Sequence, residues 1–202
     1  MGSSRPHARK PLPAGGEPSA ELVRLRDGSS VTVRAAGALD EPALRLFLKA
    51  LSSEARRLRF FTGAADIDCA AHLAAATGAG RYGLIAHDQS GVAVGHAIYA
   101  QLDDTRAEVA VEVADELNGR GLGTILIARL AAVAEDHGIT RLVAEVLPEN
   151  HAMLDVFRDG FDARVTFHQG TQMVSFPTSA RRLAGERFDG RAGDWDRALS
   201  AL

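Results

Sequence analysis

The sequence predicts an α/β (α+β) domain, with a mixed and mostly antiparallel central sheet flanked by helices. Three patterns predict it. Short runs of alternating apolar and polar residues are joined by turns rich in Asp, Ser and Gly, as in antiparallel strands. Longer segments between these runs repeat their apolar residues at helical spacing. A glycine-rich segment, Gly119-Arg120-Gly121-Leu122-Gly123, joins one strand to one helix.

The elements follow in order. Val23-Arg24-Leu25-Arg26 and Val31-Thr32-Val33-Arg34 alternate on either side of Asp27-Gly28, a hairpin signal because glycine accepts the positive φ of a tight turn. Asp40 stands where it can cap a helix opening at Glu41-Pro42, and Leu44, Phe47, Leu48 and Leu51 mark that helix's apolar face. A second helix is expected over residues 67–76, where Cys69 reads as a core residue in an alanine-rich stretch. Between the two, Arg56-Arg57-Leu58-Arg59-Phe60-Phe61 reads as a basic, aromatic loop. Strands over 82–87, 92–101 and 107–113 make a meander. The helix after the glycines carries Leu126, Leu130, Val133 and Ala134 and stops at His137-Gly138. A strand over 141–147 leads to Pro148-Glu149-Asn150, which opens a helix containing Met153, Leu154 and Phe157 and ending near Gly160. Strands over 163–168 and 171–176 pair about Gln169-Gly170.

The flanks differ in composition. Residues 1–20 are rich in Pro, Gly, Ser, Arg and Lys and read as a disordered arm, which leaves an ordered domain over 21–178. Residues 179–202 read as a linker or docking tail, with Trp195, Leu199 and Leu202 on a short helix.

A net charge of -3 with no basic stripe excludes bulk binding to nucleic acid or to an anionic membrane. No stretch reaches the ~20 apolar residues that span a bilayer, and residues 1–20 hold no apolar core of a signal peptide. A single cysteine rules out an internal disulfide and points to a reducing, cytoplasmic setting. The seven histidines lack paired spacing, so no metal site is expected.

The glycine-rich segment is the main chemical signal. The first N–H groups of a helix have no partner within it, and its dipole favours an anion there. Glycines let a phosphate come close, Arg120 adds a charged donor and Thr124 a hydroxyl. No Lys follows the glycines, which discards a Walker P-loop. A dinucleotide turn fits Gly119 and Gly121, with Glu145 as a ribose-binding acid, but Thr124 occupies the third glycine position and residues 114–118 intervene after the strand. A glycine-rich helix start with no ligand is the plain alternative.

Asn118-Gly119-Arg120-Gly121-Leu122-Gly123 resembles the Q/R-x-x-G-x-G/A signature of GNAT acetyltransferases, with Asn118 in place of the usual Gln or Arg. Asn150, Ala152, Met153, Val156, Phe157 and Gly160-Phe161 resemble that family's second motif, N-x-x-A-x-x-x-Y…GF. The likeness runs over about 21–177 and includes the order of elements. Leu25-Arg26-Asp27-Gly28, Leu51-Ser52-Ser53-Glu54, Arg59-Phe60-Phe61 and Leu147-Pro148-Glu149-Asn150-His151 are similar to the GNAT domain of bacterial protein lysine acetyltransferases, often fused to acyl-CoA synthetase-like or ligand-sensing domains. The resemblance implies the GNAT fold, acetyl-CoA as donor, and a protein lysine as acceptor, including lysines of AMP-forming acyl-CoA synthetases.

It also implies a site. Asn118, Gly119, Arg120, Gly121, Leu122, Gly123 and Thr124 would cradle the pyrophosphate, and backbone groups around Val111 and Val113 would hold the pantetheine or the thioester oxygen. Asn150 is expected to bond the cofactor or cap its helix, or both. Phe157 stands where many relatives carry an acidic Tyr, so Tyr82 or Tyr99 must serve as acid or none is needed. A lysine amine has a pKa of ~10.4, so only about one in a few thousand is neutral at pH 7 and a base must take its proton. From the glycine turn, five residues of strand cover roughly 16 Å, about the reach of pantetheine, which brings the thioester near Glu108. Glu108 matches the family's strand glutamate, and Glu112, on the same face by alternation, is the other candidate. Arg56, Arg57 and Arg59 are placed either at the acceptor entrance, at the cofactor's 3′-phosphate, or in a solvated loop. Two other functions remain on the same fold: acylation of a small-molecule amine, and non-enzymatic acyl-CoA sensing that acts on a fused or partner domain.

Overall fold

The computed structural model describes residues 20–62, 64–78 and 80–179, and the backbone at 182–183 and 186–187. The chain runs β1 (Glu21–Arg24), β2 (Ser30–Ala35), α1 (Glu41–Ala50), α2 (Ser53–Phe60), α3 (Ile67–Ala75), β3 (Arg81–His87), β4 (Ala93–Gln101), β5 (Arg106–Val113), α4 (Leu122–Asp136), β6 (Arg141–Val146), α5 (His151–Phe161), β7 (Arg164–His168) and β8 (Thr171–Pro177). These strands form one eight-stranded sheet in the order β1-β2-β3-β4-β5-β6-β8-β7. Every neighbouring pair is antiparallel except β5 with β6, which are parallel and joined by α4. The sheet is the mixed, mostly antiparallel one read from the sequence. The expected arm at 1–20, apart from Ala20, and the tail around Trp195 lie outside the described residues.

Two apolar cores lie on opposite faces of the sheet. On β3, Leu84 and Ala86 join the larger core while Ile85 joins the smaller, as the pleat requires. The larger is organised by α4, whose Leu122, Ile125, Leu126, Ile127 and Leu130 are all buried. The smaller is covered by α1 and α3 through Leu44, Phe47, Leu48, Ala71 and Ala75.

Three local expectations change. Residues 53–60 form a helix rather than a loop. Ser52 opens it by accepting the Ala55 N–H at 3.1 Å, and Phe61 closes it in the left-handed region. Asp40 sits at the start of α1 without capping it. Its carboxylate takes two bonds from Arg34, at 2.7 and 2.5 Å, and the Gly37 N–H at 2.8 Å. Cys69 is exposed, because α3 buries Ala71, Ala74 and Ala75 and turns Cys69 away from them.

Candidate active site

The parallel pair β5–β6 is the origin of the site. Its register holds for Arg106↔Arg141, Ala107↔Leu142 and Glu108↔Val143, and there it ends. Beyond those residues the strands part, and a cleft of about 600 Å³ opens between the rest of β5 and Ala144, Glu145 and Val146 of β6. At its head lies the glycine turn. Gly119 and Gly121 have φ of 76° and 90°, a region that side chains oppose. The Ile125 N–H donates to the Gly121 carbonyl at 3.1 Å, so the amides before it lead out of the helix end. No side chain among the described residues caps this end, which leaves it open to an anion.

The expected cofactor residues mostly meet here. Val111, Val113, Asn118, Gly119, Gly121, Leu122, Gly123, Thr124, Asn150 and Phe157 all line the cleft. Phe157 is a wall: it is buried and packs on Phe161 and Phe176 at ring-centroid distances of 6.5 and 5.4 Å. Asn150 caps α5 by accepting the Met153 N–H at 3.2 Å. Arg120 is the exception. It is absent from the lining, its guanidinium donates to Asp27 at 2.5 Å, and its carbonyl accepts the Arg26 N–H at 3.1 Å. Those bonds fasten the glycine turn to the β1–β2 hairpin and place Arg26 in the cleft instead, beside Gly121. Tyr82 and Tyr99 line neither cleft. Tyr99 is buried with its hydroxyl on His137, and burial pushes its pKa up to about 12.

A second cleft of about 490 Å³ lies between α2, α3 and the sheet. Its wall is largely apolar, including Leu48, Phe60, Leu73 and Ile98, with Arg81 and Asp66 also on it. Arg59, Glu108, Ala110 and Glu112 line both clefts and so mark their junction.

The two candidate carboxylates share a face, as alternation requires, and the β4–β5 register is unbroken past both. Their surroundings differ. Glu108 is exposed. Glu112 is 7% exposed, and its oxygens are taken by Arg59 Nε at 2.7 Å and His96 Nδ1 at 2.8 Å. Burial pushes the Glu112 pKa up, but the charges of Arg59 and His96 outweigh it and bring the group down to about 2. A carboxylate already bound by two donors is a poor proton acceptor. Among the described residues Glu108 has no such partner, so of the two carboxylates it is the one left open to the cleft.

Sequence reasoning missed Arg26 and the role of α2. Helix α2 brings Ala55, Leu58 and Arg59 to the first cleft, and each of its arginines has its own task. Arg56 caps α1 through the Lys49 and Leu51 carbonyls at 3.0 and 2.7 Å. Arg57 pairs with Glu54 and reaches Glu149 at 2.7 Å, beside Asn150 on the far wall of the cleft. Ser52 ties the same helix to Asp115, just before the glycine turn, by bonds of 2.9 and 3.0 Å. A Ser at 52 with Glu at 54 is the cap signal that could have exposed this helix.

A cleft that runs from the uncapped head of α4 along the parted edge of β5 to a strand carboxylate has the shape an acyl-transfer domain needs. The chain belongs to the Acetyltransferase (GNAT) family, which it matches over residues 45–161, more than half its length. The family's donor is acetyl-CoA. Among solved structures, the GNAT domain of S. lividans PAT superposes with a TM-score of 0.71 at 32% identity, covering 78% of this chain and 96% of that one. The cAMP-binding acyltransferase from Mycobacterium smegmatis superposes at 0.60 with 21% identity, covering 91% of this chain and 54% of that one, a likeness of fold. A curated relative, Acetyltransferase Pat of Mycolicibacterium smegmatis, is 35% identical over 88 residues, 44% of this chain. That match spans 25% of the relative's length.

Proposed function

We propose that this protein transfers the acetyl group of acetyl-CoA directly to the ε-amine of a lysine in a protein, with Glu108 as the general base. The observation that carries the reading is the parting of β5 from β6 immediately after Glu108↔Val143. The open cleft starts at the amides of Gly121 to Thr124, fit for a diphosphate, and ends at an exposed carboxylate. The exposed edge of β5 offers backbone groups at Val111 and Val113 along the way. Glu108 takes one proton from the acceptor ammonium, the neutral amine attacks the thioester carbon, and the second N–H proton passes to solvent as the amide forms. The tetrahedral intermediate collapses, the C–S bond breaks, and the thiolate leaves without a dedicated acid. The largely apolar second cleft suits the methylene stem of a lysine. The likeness to PAT and Pat supports a protein acceptor, and AMP-forming acyl-CoA synthetases in the cytoplasm are the first targets to test.

Glu108→Gln is the test. It should lower kcat by roughly 10²–10⁴-fold and leave the dissociation constant of acetyl-CoA unchanged, since the diphosphate grip lies elsewhere. Near-normal turnover by this variant would remove Glu108 from the role of base. Mass mapping of acetylated lysines after incubation with a synthetase identifies the acceptor. Transfer to free polyamines alone would move the reading to small-molecule amines.

A further inference from the structure

We infer that Arg59, fixed at the junction of the two clefts by Glu112, reads a carboxylate that the acceptor carries some distance from its reacting amine. The inference rests on the amine-acetylation reading above and adds a specificity-determining residue to it.

Position comes first. Of the four residues shared by the clefts, Glu108 and Glu112 are acids, Ala110 is small, and Arg59 is the cation. Arg59 spends Nε on Glu112 at 2.7 Å, and its guanidinium carbon lies 4.9 Å from the centre of the Phe60 ring. Its side chain is 26% exposed, and the structure gives its two terminal nitrogens no hydrogen bond among the described residues. Glu112 is itself held. His96 is fully buried, donates from Nδ1 to Glu112, and sets Nε2 3.3 Å from the Ala74 carbonyl at the end of α3. Three elements around the acceptor cleft thus fix one guanidinium.

Stability alone does not explain this arrangement. Burying an ion pair costs several kcal/mol in desolvation, and apolar residues of similar volume commonly serve as well. A guanidinium anchored through Nε keeps a rigid edge of N–H donors, which matches the two oxygens of a carboxylate. Apolar walls strengthen that attraction by lowering the local dielectric. The junction is therefore bipolar: an ammonium is drawn to Glu108 and an anion to Arg59. Glu108 and Glu112 are four residues apart on one strand face, roughly 13 Å. Arg59 is held at the Glu112 end of that span, so an ε-amine set off from its anion by a long stem suits the junction better than an α-amine beside its own carboxylate. The anion is then either the α-carboxylate of a lysine or an Asp or Glu side chain next to the lysine in a protein.

The test compares matched acceptors at saturating acetyl-CoA. One pair is Nα-acetyl-lysine against its methylamide, and the other is a lysine peptide flanked by Asp or Glu against the same peptide with Asn or Gln. Wild-type protein should show a KM lower by about tenfold for the carboxylate member of at least one pair, and which pair responds tells the two sources apart. Arg59→Gln should erase that difference and keep acetyl-CoA affinity within about twofold. Equal KM values within both pairs for the wild type overturn the inference while leaving acetyl transfer intact. A tenfold loss of acetyl-CoA affinity in Arg59→Gln overturns it too, because Arg59 would then serve the donor. Absence of transfer to every amine sinks the functional reading itself. The wild-type comparison needs no variant, so it stands even where Arg59→Gln fails to fold.

Discussion

At the scale of single residues, Glu112 shows what packing adds to a strand pattern. Alternation puts it on the same face as Glu108, and sequence has no further way to separate the two. The separation comes from Arg59 on α2 and His96 on β4, each supplied by a different element. His96 pairs directly across the sheet with Glu112, a contact that only the strand register reveals. The consequence is measurable in acid. The Glu112 pKa falls from an ordinary 4.5 to about 2 in the folded chain, so its stabilisation is complete above pH ~4.5 and disappears as pH drops toward 2. Urea unfolding at pH 6 and pH 3 should show the wild type losing more stability than Glu112→Gln over that interval. At pH 6 the variant should already be weaker by on the order of 3 kcal/mol, since a part-buried Arg59 contact and a buried His96 contact are both broken. Equal acid sensitivity in the two proteins would mean that the carboxylate is not held in this way.

At the scale of elements, α4 is the most legible part and α2 the least. The glycines, the strand before them and the apolar face of α4 are all local signals, so the head of the cleft can be read directly. Helix α2 has no buried residue, hence no apolar stripe, and its three arginines disguise it as a loop. Its role is to wall two clefts, which leaves no periodic trace. Arg26 was invisible for a related reason. It enters the cleft only because Arg120 turns back to Asp27 and draws the hairpin onto the glycine turn. The two glycines there make a paired prediction. Gly121 has φ of 90°, and a Cβ added to it would stand 3.3 Å from Arg26 Nε. Gly123 is helical, and its Cβ would meet Val113 Cγ2 at an ordinary 3.8 Å. Gly121→Ala should destabilise the fold by about 1–2 kcal/mol and weaken acetyl-CoA binding. Gly123→Ala should keep or slightly raise the melting temperature, since alanine favours a helix. Thermal melts with and without acetyl-CoA separate the two, and equal losses would place the turn in some other conformation.

At the scale of the whole molecule, the proposed function depends on a break in the pairing of the sheet. A parallel pair that stays zipped would cover the β5 edge from Val109 to Val113, whereas here pairing ends at Glu108↔Val143. Sequence places β5 and β6 and even their order, but the length of their pairing is a property of the assembled sheet. It depends on how α4 and the β6-β8-β7 half pack, not on either strand's residues alone. The parted edges should be the part of the molecule that acetyl-CoA orders most. Hydrogen exchange at β5 and β6 beyond Glu108 and Val143 should slow markedly on adding acetyl-CoA, while the β3–β4 pair, in unbroken register from Arg81↔Ala100 to Ala86↔Gly95, should change little. Ligand at a hundred times its dissociation constant adds about 2.7 kcal/mol of stability. For a chain of this size that is a rise in melting temperature of about 5–10 °C. A rise of that size with protection confined to the β1–β2 edge would put the donor elsewhere. Protection along the split, lost in parallel with affinity in Gly121→Ala, would tie the opening of the sheet to the grip at the head of α4.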